Sequence, residues 1–366
     1  MKIKFFDLYQ QDKEDHPKII KAIKKNIIKG DYILGKEVNR FEKNFSKFVG
    51  AKYGIGCANG TDALTLALKC LRLKKNSEVI IPAMTYCSTA FSVLNAGLKP
   101  ILVDIEKNSS VINTKEIKKK ITKNTKVILP VHLYGSAANI DEIKTIIKKY
   151  KQKIYIIDDC AQAHGASNKN NTKRKIGSIS DISCFSLYPG KNLGAYGDAG
   201  IITTNSKKYF KYLRKIRNLG SERKFVHDIV GQNSRLDTLQ ATILNIKLKK
   251  LDKLNKKRQL IAKFYNKNIK NQKIQKLNYS QSAVYHQYVI IVKKRKELIK
   301  YLRKKNIDFG FHYPFSINQL KVFKKKFTSK KFNNAETLAN HGISIPIDPN
   351  LNQTQLRYIV NVLNSF

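Results

Sequence analysis

The sequence has few cysteines, and they are not paired in a familiar pattern. Its 366 residues contain five, at positions 57, 70, 87, 160 and 184. The number is odd and no two cysteines show the short spacing of zinc or thioredoxin motifs, so neither a disulfide framework nor a cysteine-rich metal site is expected. A reducing compartment fits this usage best.

Long apolar runs are also absent. No stretch approaches the length that a membrane-spanning helix requires, and no apolar region follows Met1-Lys2-Ile3-Lys4. We therefore expect a cytoplasmic protein with no membrane partner.

Acidic residues are scarce as well. The chain has 26 Asp and Glu against 71 Lys and Arg, which gives a formal net charge of +45. Such an excess is typical of nucleic-acid-binding proteins, but here the lysines are spread over the whole length and no arginine-rich arm is present. We interpret the charge as a compositional bias of solvated surfaces and predict no nucleic-acid partner. The positive field would still attract anionic small molecules, including phosphorylated ones.

The chain is long enough to bury a large core. Hydrophobic residues make up 42% of its 366 residues, and this length suits one large domain joined to a smaller one. We place the large domain, with an N-terminal arm, at residues 1–250, and a small C-terminal α/β domain at residues 251–366.

Apolar strands alternate with helical segments through the first half of the chain. Continuous apolar strands are typical of parallel sheets whose two faces are both covered, so we predict an α/β fold with a mostly parallel sheet between helices. Ligands bind at the carboxyl ends of such strands, where Tyr86, His132, Asp159 and Lys191 fall. The predicted strands are 78–82, 100–104, 126–131 and 154–159, and the predicted helices between them are 89–96, 112–121 and 141–149.

A buried helix is predicted directly after the pair Gly60-Thr61. The N-terminus of such a helix offers free N–H groups and the positive end of the helix dipole, which together can hold a phosphate. A plain N-cap by Asn59 or Thr61 explains the same pattern. A dinucleotide fingerprint does not fit, because the glycines before this helix are spaced G-x-G-x-x-x-G.

Lys191 stands out from the other lysines by its setting. It lies in Ser183-Cys184-Phe185-Ser186-Leu187-Tyr188-Pro189-Gly190-Lys191-Asn192-Leu193-Gly194, with apolar residues before it and turn residues around it. Desolvation there would disfavour the ammonium and make the amine nucleophilic, as Schiff-base chemistry requires. A surface turn at Pro189-Gly190 is the alternative interpretation. The stretch is not a P-loop, because Asn192 follows the lysine in place of Ser or Thr.

Asp159 closes a buried apolar strand. A carboxylate in that position is costly unless it meets a cation or several hydrogen-bond donors. It could cap a helix, form an internal salt bridge or hold a cationic ligand such as a pyridinium ring.

Four motifs follow one another along the chain. They are Ala58-Asn59-Gly60-Thr61-Asp62-Ala63-Leu64, Ile157-Asp158-Asp159-Cys160-Ala161-Gln162-Ala163-His164-Gly165, residues 185–200 and Asn233-Ser234-Arg235-Leu236-Asp237. Together they resemble the motifs of one family, the DegT-like nucleotide-sugar aminotransferases, and the resemblance extends from about Phe5 to the C-terminus. These are pyridoxal 5'-phosphate (PLP) enzymes of the aspartate-aminotransferase fold, fold type I, with a large domain and a smaller C-terminal domain.

The resemblance assigns a role toward PLP to each of several residues. It implies that Lys191 binds the cofactor covalently and that Asp159 pairs with the pyridine nitrogen, which keeps the ring an electron sink. Gln162 would lie beside the phenolic oxygen and Tyr86 would stack on the ring. The residues implied for the phosphate are Gly60, Thr61, Ser186 and, from the neighbouring subunit of a homodimer, Asn233.

The resemblance also implies a reaction. Relatives with histidine in place of the lysine resemble dehydratases, and because this chain keeps Lys191 an aminotransferase is implied. L-Glutamate would give its amino group to the cofactor, a keto nucleotide-sugar would take it, and the free Lys191 amine would act as general acid and base. The resemblance thus implies that the enzyme acts in surface-polysaccharide or amino-sugar biosynthesis.

The substrate is less closely indicated. The form of the lysine motif is more similar to relatives that act at C3 of 3-keto sugars, such as 3-keto-6-deoxyhexoses, than to those that act at C4, and the nucleotide, UDP or dTDP, stays open. Asn318 and Asp348 stand where many relatives have histidine, which weakens any inference about the sugar. The candidate substrate residues are His164, Tyr188, His312 and Tyr313.

Other interpretations account for fewer of these residues. His132 and His164 are plausible cleft residues, but neither has a second ligand at metal spacing, so no metal is predicted. A non-catalytic or regulatory member of the fold would not need Lys191, Asp159 and Gln162 together. A basic nucleic-acid binder would bind DNA with a steep dependence on salt.

Overall fold

The structure is a computed structural model, and it describes residues 1–168, 174–223, 225–324, 327 and 331–366. Within these residues the strands are β1 (Tyr53–Cys57), β2 (Glu78–Pro82), β3 (Lys99–Val103), β4 (Thr125–Ile128), β5 (Tyr155–Asp159), β6 (Ile182–Ser186), β7 (Gly200–Thr204), β8 (Ser221–Arg223), β9 (Val226–His227), β10 (Gln275–Lys276), β11 (Tyr288–Ile291) and β12 (Gly342–Ile345). The α-helices are α1 (Leu8–Asp12), α2 (His16–Lys29), α3 (Lys36–Val49), α4 (Gly60–Cys70), α5 (Cys87–Asn95), α6 (Thr114–Lys120), α7 (Ile140–Ile147), α8 (Lys207–Ile216), α9 (Thr238–Lys247), α10 (Leu251–Asn268), α11 (Arg295–Lys304), α12 (Lys321–Lys324), α13 (Asn333–His341) and α14 (Gln353–Asn364).

A seven-stranded sheet forms the centre of the fold. Its strand order is β1-β7-β6-β5-β4-β2-β3. β7 runs antiparallel to both of its neighbours, and the other paired strands are parallel. The predicted α/β fold with a mostly parallel sheet between helices is confirmed.

Both faces of this sheet are buried, which explains why its strands are mostly apolar. In β2, Val79 and Ile81 belong to the core on one face and Ile80 belongs to the core on the other. Because successive side chains of a strand point to opposite faces, a strand covered on both sides is apolar at most positions, and a polar side chain there needs hydrogen-bond partners. The alternation of strands and helices in the sequence is the consequence.

Strand β4 is shorter than the sequence predicts. It ends at Ile128, whereas the apolar run continues to Val131. Pro130 has no N–H to donate to a neighbouring strand, and its carbonyl accepts the N–H of Asp159 at 2.9 Å. The chain regains one bridge to β5, between Val131 and Asp159.

The C-terminal part of the chain has a small sheet and a core of its own. Strands β10, β11 and β12 are antiparallel, in that order. Their core contains Tyr265 from α10, Tyr288 from β11 and Leu298 from α11. The first residues of the chain join it: Ile3 pairs with Ile307, its N–H donating to the Asn306 carbonyl at 2.8 Å. The boundary between domains at residue 250 stays a prediction.

Among the described residues, helices that combine the length and apolar character needed to cross a membrane are not found.

Candidate active site

The chain forms a cavity of about 680 Å³ where several strands of the central sheet end. The segments that follow β1, β2, β5 and β6 meet there, together with the residues that lead into the antiparallel strand β7. Its wall contains most of the predicted site residues, namely Gly60, Thr61, Tyr86, Asp159, Gln162, Ser186, Tyr188, Lys191 and Tyr313.

Lys191 reaches this cavity from the loop after β6. Its backbone N–H donates to the Tyr188 carbonyl at 2.9 Å, which closes the Pro189-Gly190 turn. The turn is too tight for a side chain at Gly194, where a Cβ would lie 2.3 Å from the Pro189 carbonyl oxygen. The loop therefore presents the lysine to the cavity, not to open solvent.

The electrostatics of the cavity favour a neutral Lys191 amine. Burial lowers its pKa from the ordinary value of 10.5 to about 8, although the negative charge of Asp159 acts in the opposite direction. A substantial fraction of the amine is therefore unprotonated near pH 8. That is the state a nucleophile or a general base needs.

Asp159 ends β5 on the cavity wall, with only 5% of its surface exposed. Its Oδ2 accepts a hydrogen bond from the Thr89 hydroxyl at 2.8 Å, and its Oδ1 accepts one from the Ala161 N–H at 3.1 Å. Burial raises the pKa of this carboxyl, and the two hydrogen bonds oppose the rise. A cation placed in the cavity would stabilise the charged form further.

Gln162 connects the cavity to the C-terminal part of the chain. Its Oε1 accepts the Tyr134 N–H at 2.7 Å and its Nε2 donates to the Tyr313 hydroxyl oxygen at 3.0 Å. The ring of Tyr313 lies 5.1 Å from that of Tyr86, centroid to centroid. Burial and the charge of Asp159 raise the pKa of Tyr313, which keeps it a neutral phenol. Two aromatic rings and an amide thus line one side of the cavity.

The N-terminus of α4 forms another wall. Asn59 caps this helix by accepting the Asp62 N–H at 2.8 Å, and the first N–H groups of a helix have no partner within it. A Cβ on Gly60 would come within 2.6 Å of the Ser186 Cβ, so glycine is needed for the two segments to approach. The Thr61 hydroxyl donates to the Ser88 hydroxyl oxygen at 2.8 Å. The result is a small cradle of N–H groups and hydroxyls suited to an anion.

The donor set of the cavity fits PLP. It combines an amine that can bind an aldehyde, a buried carboxylate for a pyridinium nitrogen, an aromatic face at Tyr86 and an anion cradle at Gly60 and Thr61. The close approach of Gly60 to Ser186, which a side chain at residue 60 would prevent, brings the helix N-terminus and the Ser186 hydroxyl to the same wall of the cavity.

Three predicted residues lie outside the cavity wall. His164 is fully buried behind it, with its Nε2 at 2.8 Å from the Ser186 carbonyl oxygen. His312 contacts the Ser344 hydroxyl through Nδ1 at 2.8 Å and stacks on Phe5. Asn233 lines a neighbouring hollow that shares Asp198 with the cavity. Neither histidine is among the residues that line the cavity around Lys191.

His132, the other strand-end histidine, is also buried away from the cavity. Val131 and Leu133 line the cavity, and His132 between them points to the opposite side. Its Nδ1 accepts the Ala138 N–H at 3.0 Å and its Nε2 lies 3.7 Å from Asp158. In the part of the chain that the structure describes, His132, Asp158 and Cys160 bring potential ligand atoms within 4.8 Å of one another. The absence of a metal stays a prediction.

Several functional neighbours were not predicted from the sequence. Thr89 donates to Asp159, and its own hydroxyl lies 2.8 Å from that of Thr85. The signal available for both was their position just after a strand, next to Tyr86. The wall residues not predicted are Asn59, Asp62, Leu64, Thr85, Ser88, Val131, Leu133, Ala161 and Asp198.

Comparison with known proteins identifies a family over almost the whole chain. Residues 13–364 match the model of the DegT/DnrJ/EryC1/StrS aminotransferase family. A dTDP-3-amino-3,6-dideoxy-alpha-D-galactopyranose transaminase of Aneurinibacillus thermoaerophilus is 39% identical, over 100% of this chain and 99% of its own length. A UDP-2-acetamido-2-deoxy-3-oxo-D-glucuronate aminotransferase of Pseudomonas aeruginosa is 36% identical, over 99% of this chain and 100% of its own length.

A solved structure agrees with these relatives. The crystal structure of S. venezuelae DesV, in complex with a ketimine intermediate, superposes with a TM-score of 0.95 at 32% identity and covers 100% of this chain and 98% of that one. Aminotransferases of the family depend on PLP, the cofactor that the cavity fits. The chain therefore belongs to the DegT/DnrJ/EryC1/StrS aminotransferase family and is a PLP-dependent sugar aminotransferase.

Proposed function

We propose that this enzyme transfers the amino group of L-glutamate to C3 of a 3-keto nucleotide-sugar, such as a 3-keto-6-deoxyhexose, for amino-sugar or surface-polysaccharide synthesis. The observation that carries the chemistry is the placement of Lys191 and Asp159 on one cavity wall. The position on the sugar is supported by the names of the two relatives, each of which carries its amino or oxo group at position 3. Their nucleotides differ, so the proposal specifies the sugar position alone.

The proposal gives each cavity residue a role. Lys191 binds the cofactor covalently, Asp159 pairs with its ring nitrogen, and Tyr86 stacks on its face. Gln162 lies beside the phenolic oxygen. When bound, the cofactor supplies an electron sink that allows a proton to leave a carbon next to the nitrogen. The phosphate is held by Gly60, Thr61 and Ser186.

The properties of the chain's own residues suit this chemistry. Lys191, with its pKa lowered to about 8, can accept a proton at its Nζ and return it at neutral to mildly alkaline pH. Tyr313 stays a neutral phenol in this range, and its hydroxyl oxygen accepts a hydrogen bond from the Gln162 amide. Tyr188, 57% exposed at the mouth of the cavity, is positioned to contact the sugar.

A homodimer with shared sites is part of the proposal. Asn233 lies outside the cavity of its own chain but in the adjoining hollow, next to Arg235 and the shared residue Asp198. Ile33 of the same hollow is half exposed. This placement suits an asparagine that reaches the cofactor phosphate of a second copy across a two-fold axis.

The test is an absorbance spectrum of the protein with PLP, followed by glutamate and then by keto sugars. We expect a visible band of bound cofactor that excess glutamate bleaches and a 3-keto nucleotide-sugar restores. Lys191→Ala should abolish the band, and Lys123→Ala, which removes an exposed lysine, should leave it intact.

Other outcomes would point elsewhere. Restoration by 4-keto sugars alone would place the reaction at C4. A band that glutamate does not bleach would favour a different donor, and a protein that binds PLP without any turnover would favour a regulatory role.

A further inference from the structure

A buried polar network lies behind the Lys191 loop, on the side away from the cavity. Its central residue is Asn192, which is 3% exposed and follows the lysine directly. The Asn192 Nδ2 donates to the Asn255 Oδ1 at 2.9 Å and to the Val284 carbonyl at 3.1 Å. These two acceptors fix which way the amide faces, so its Oδ1 must be the atom that faces His286.

His286 completes the bonding of this amide. Its Nδ1 lies 3.1 Å from the Asn192 Oδ1, and because that oxygen can only accept, the imidazole carries its proton on Nδ1. Its Nε2 is then an acceptor, and the Gln287 Nε2 lies 3.4 Å from it. Burial, together with the positive charges of Lys191 and Arg258, holds the pKa of His286 well below its ordinary value. The hydrogen bond therefore persists over the pH range in which Lys191 titrates.

Asn255 extends the network back to the central sheet. Its Nδ2 donates to the His164 carbonyl at 2.8 Å, and the His164 Nε2 in turn lies 2.8 Å from the Ser186 carbonyl oxygen. A Cβ on Gly165 would meet the Asn255 Nδ2 at 2.9 Å. The network thus joins the turn after Gln162 and both ends of the lysine loop to helix α10.

Buried amides of this kind need a reason to be there. An amide in a core is costly unless all its hydrogen bonds are made, and an apolar residue would fill the same space at lower cost. None of Asn192, Asn255 and His286 lines the cavity. Their common feature is the loop that they hold.

We propose that Asn192, Asn255 and His286 are positioning residues that fix the backbone of Lys191, so that its amine returns to the same place each time it is released and bound again. The inference rests on the proposed role of Lys191. Lysine has a long, flexible side chain, so its reach into the cavity depends on where its backbone is held. A displacement of about 1 Å at a reacting group costs on the order of a hundredfold in rate.

The test measures covalent attachment of PLP at Lys191. Apo-protein is mixed with PLP, borohydride fixes the bond at timed intervals, and peptide mass locates the label. In Asn192→Ala we expect the rate of labelling to fall roughly tenfold or more. Binding of pyridoxamine phosphate, which cannot form the bond, should be unchanged because the phosphate cradle is intact.

Asn245→Ala is the matched control. Asn245 is equally buried, and its amide also makes three hydrogen bonds, to Glu37 through Nδ2 twice and to Asn44 through Oδ1, but it lies on α9 away from the cavity. Its loss should lower thermal stability by a comparable amount and leave the labelling rate as in the wild type.

A second pair of variants separates positioning from mere packing. His286→Asn keeps a donor close to the position of Nδ1, and His286→Leu keeps the volume without the donor. We expect His286→Asn to keep most of the wild-type labelling rate and the wild-type pH at which the visible band of the bound cofactor changes. His286→Leu should keep neither. This pair decides the matter even if Asn192→Ala does not fold.

The outcomes distinguish the two proposals. A wild-type label on a residue other than Lys191 would overturn the proposed function. A wild-type label on Lys191, together with equal rates in Asn245→Ala and His286→Leu, would overturn the positioning role alone.

Discussion

Asp159 and Lys191, which both line the cavity, influence each other's pKa without forming an ion pair. The carboxylate raises the pKa of the amine, burial lowers it, and burial has the larger effect. The same burial raises the pKa of the carboxyl, which Thr89 and the Ala161 N–H oppose. The Lys191 amine is thus held close to the protonation state that its proposed role needs, and at Asp159 the two hydrogen bonds favour the charged carboxylate against the effect of burial.

The pH dependence of PLP attachment follows from this balance. The pKa of Lys191 is lowered to about 8, so at a pH below this value most of the amine is protonated and cannot attack an aldehyde. The rate of attachment to apo-protein should therefore rise with pH up to about 8 and then level off, whereas an ordinary lysine would gain rate until about pH 10.5. Stopped-flow absorbance over pH 6 to 10 measures it. A rate that still rises above pH 9.5 would contradict the lowered pKa.

Asp159→Asn should slow the reaction far more than it weakens binding. The amide cannot stabilise a protonated ring nitrogen, so we expect the rate of the glutamate half-reaction to fall by about 10²–10³. The charge that raises the Lys191 pKa also disappears, so that pKa should drop. Single-turnover absorbance with glutamate checks both expectations.

Asp181→Asn is the control for this substitution. Asp181 also has its pKa raised by burial and accepts a backbone N–H, that of Ile156 at 2.9 Å, but it does not line the cavity. An equal loss of rate in both variants would show that the effect comes from stability and not from the cavity.

At the scale of elements, the approach of helix α4 to strand β6 builds the anion cradle. The contact of Gly60 with Ser186 leaves no space for a methyl group. It also brings the N-terminus of the helix to the end of the strand whose loop presents Lys191. Two elements that are far apart in sequence therefore line the same cavity.

Gly60→Ala tests this contact. The added Cβ would overlap the Ser186 Cβ at 2.6 Å, so one of the two segments must shift. We expect the free energy of unfolding to fall by about 1–3 kcal/mol and the affinity for PLP to fall with it. At Gly190 a Cβ would be in ordinary contact with Tyr188, at 3.8 Å, so Gly190→Ala should unfold like the wild type. Urea denaturation and PLP titration compare the Gly60→Ala and Gly190→Ala variants. Equal free energies of unfolding in the two variants would refute the overlap.

The sequence predicts best those residues whose position follows from strand ends. Asp159, Tyr86 and Lys191 each follow an apolar strand, and all three line the cavity. The same rule does not tell which side chains face inward: of the neighbours Val131 and His132, the valine lines the cavity and the histidine is buried behind it. Successive side chains of the irregular segment after Pro130 face opposite sides, and this alternation decides which of them lines the cavity. The residue types alone do not predict it.

Residues that act through distant partners are harder to predict. Gln162 is held by Tyr134 and Tyr313, and Asn192 by Asn255 and His286, pairs that are brought together only by the folded chain. The antiparallel direction of β7 likewise depends on the loop between β6 and β7, which contains Lys191 and returns the chain beside β6. No local pattern in the strand itself encodes it.

At the scale of the whole molecule, the proposed dimer makes a prediction about mixed subunits. Lys191→Ala and Asn233→Ala should each be nearly inactive alone. In a mixed dimer one site has both defects and the other has neither, so equal amounts unfolded and refolded together should regain roughly a quarter of the wild-type activity. Activity of the mixture, with sedimentation as a check of mass, measures it.

The alternative outcome is equally clear. If each site used the Asn233 of its own chain, mixing would restore nothing, because every site would carry one defect. Two variants of the same residue, both mixed in the same way, give the baseline for subunit exchange.

The pairing of Ile3 with Ile307 bears on the order in which the protein is made and folded. The N–H of Asp308 donates to the Ile3 carbonyl at 2.9 Å, and Ile3 is part of the C-terminal core. During synthesis the first residues leave the ribosome about 300 residues before their partners, so this end of the chain must wait, unpaired, until the last part arrives. A C-terminal fragment that begins at Leu251 would therefore lack Ile3, a piece of its own core, and the C-terminal part is completed only in the presence of the N-terminal segment.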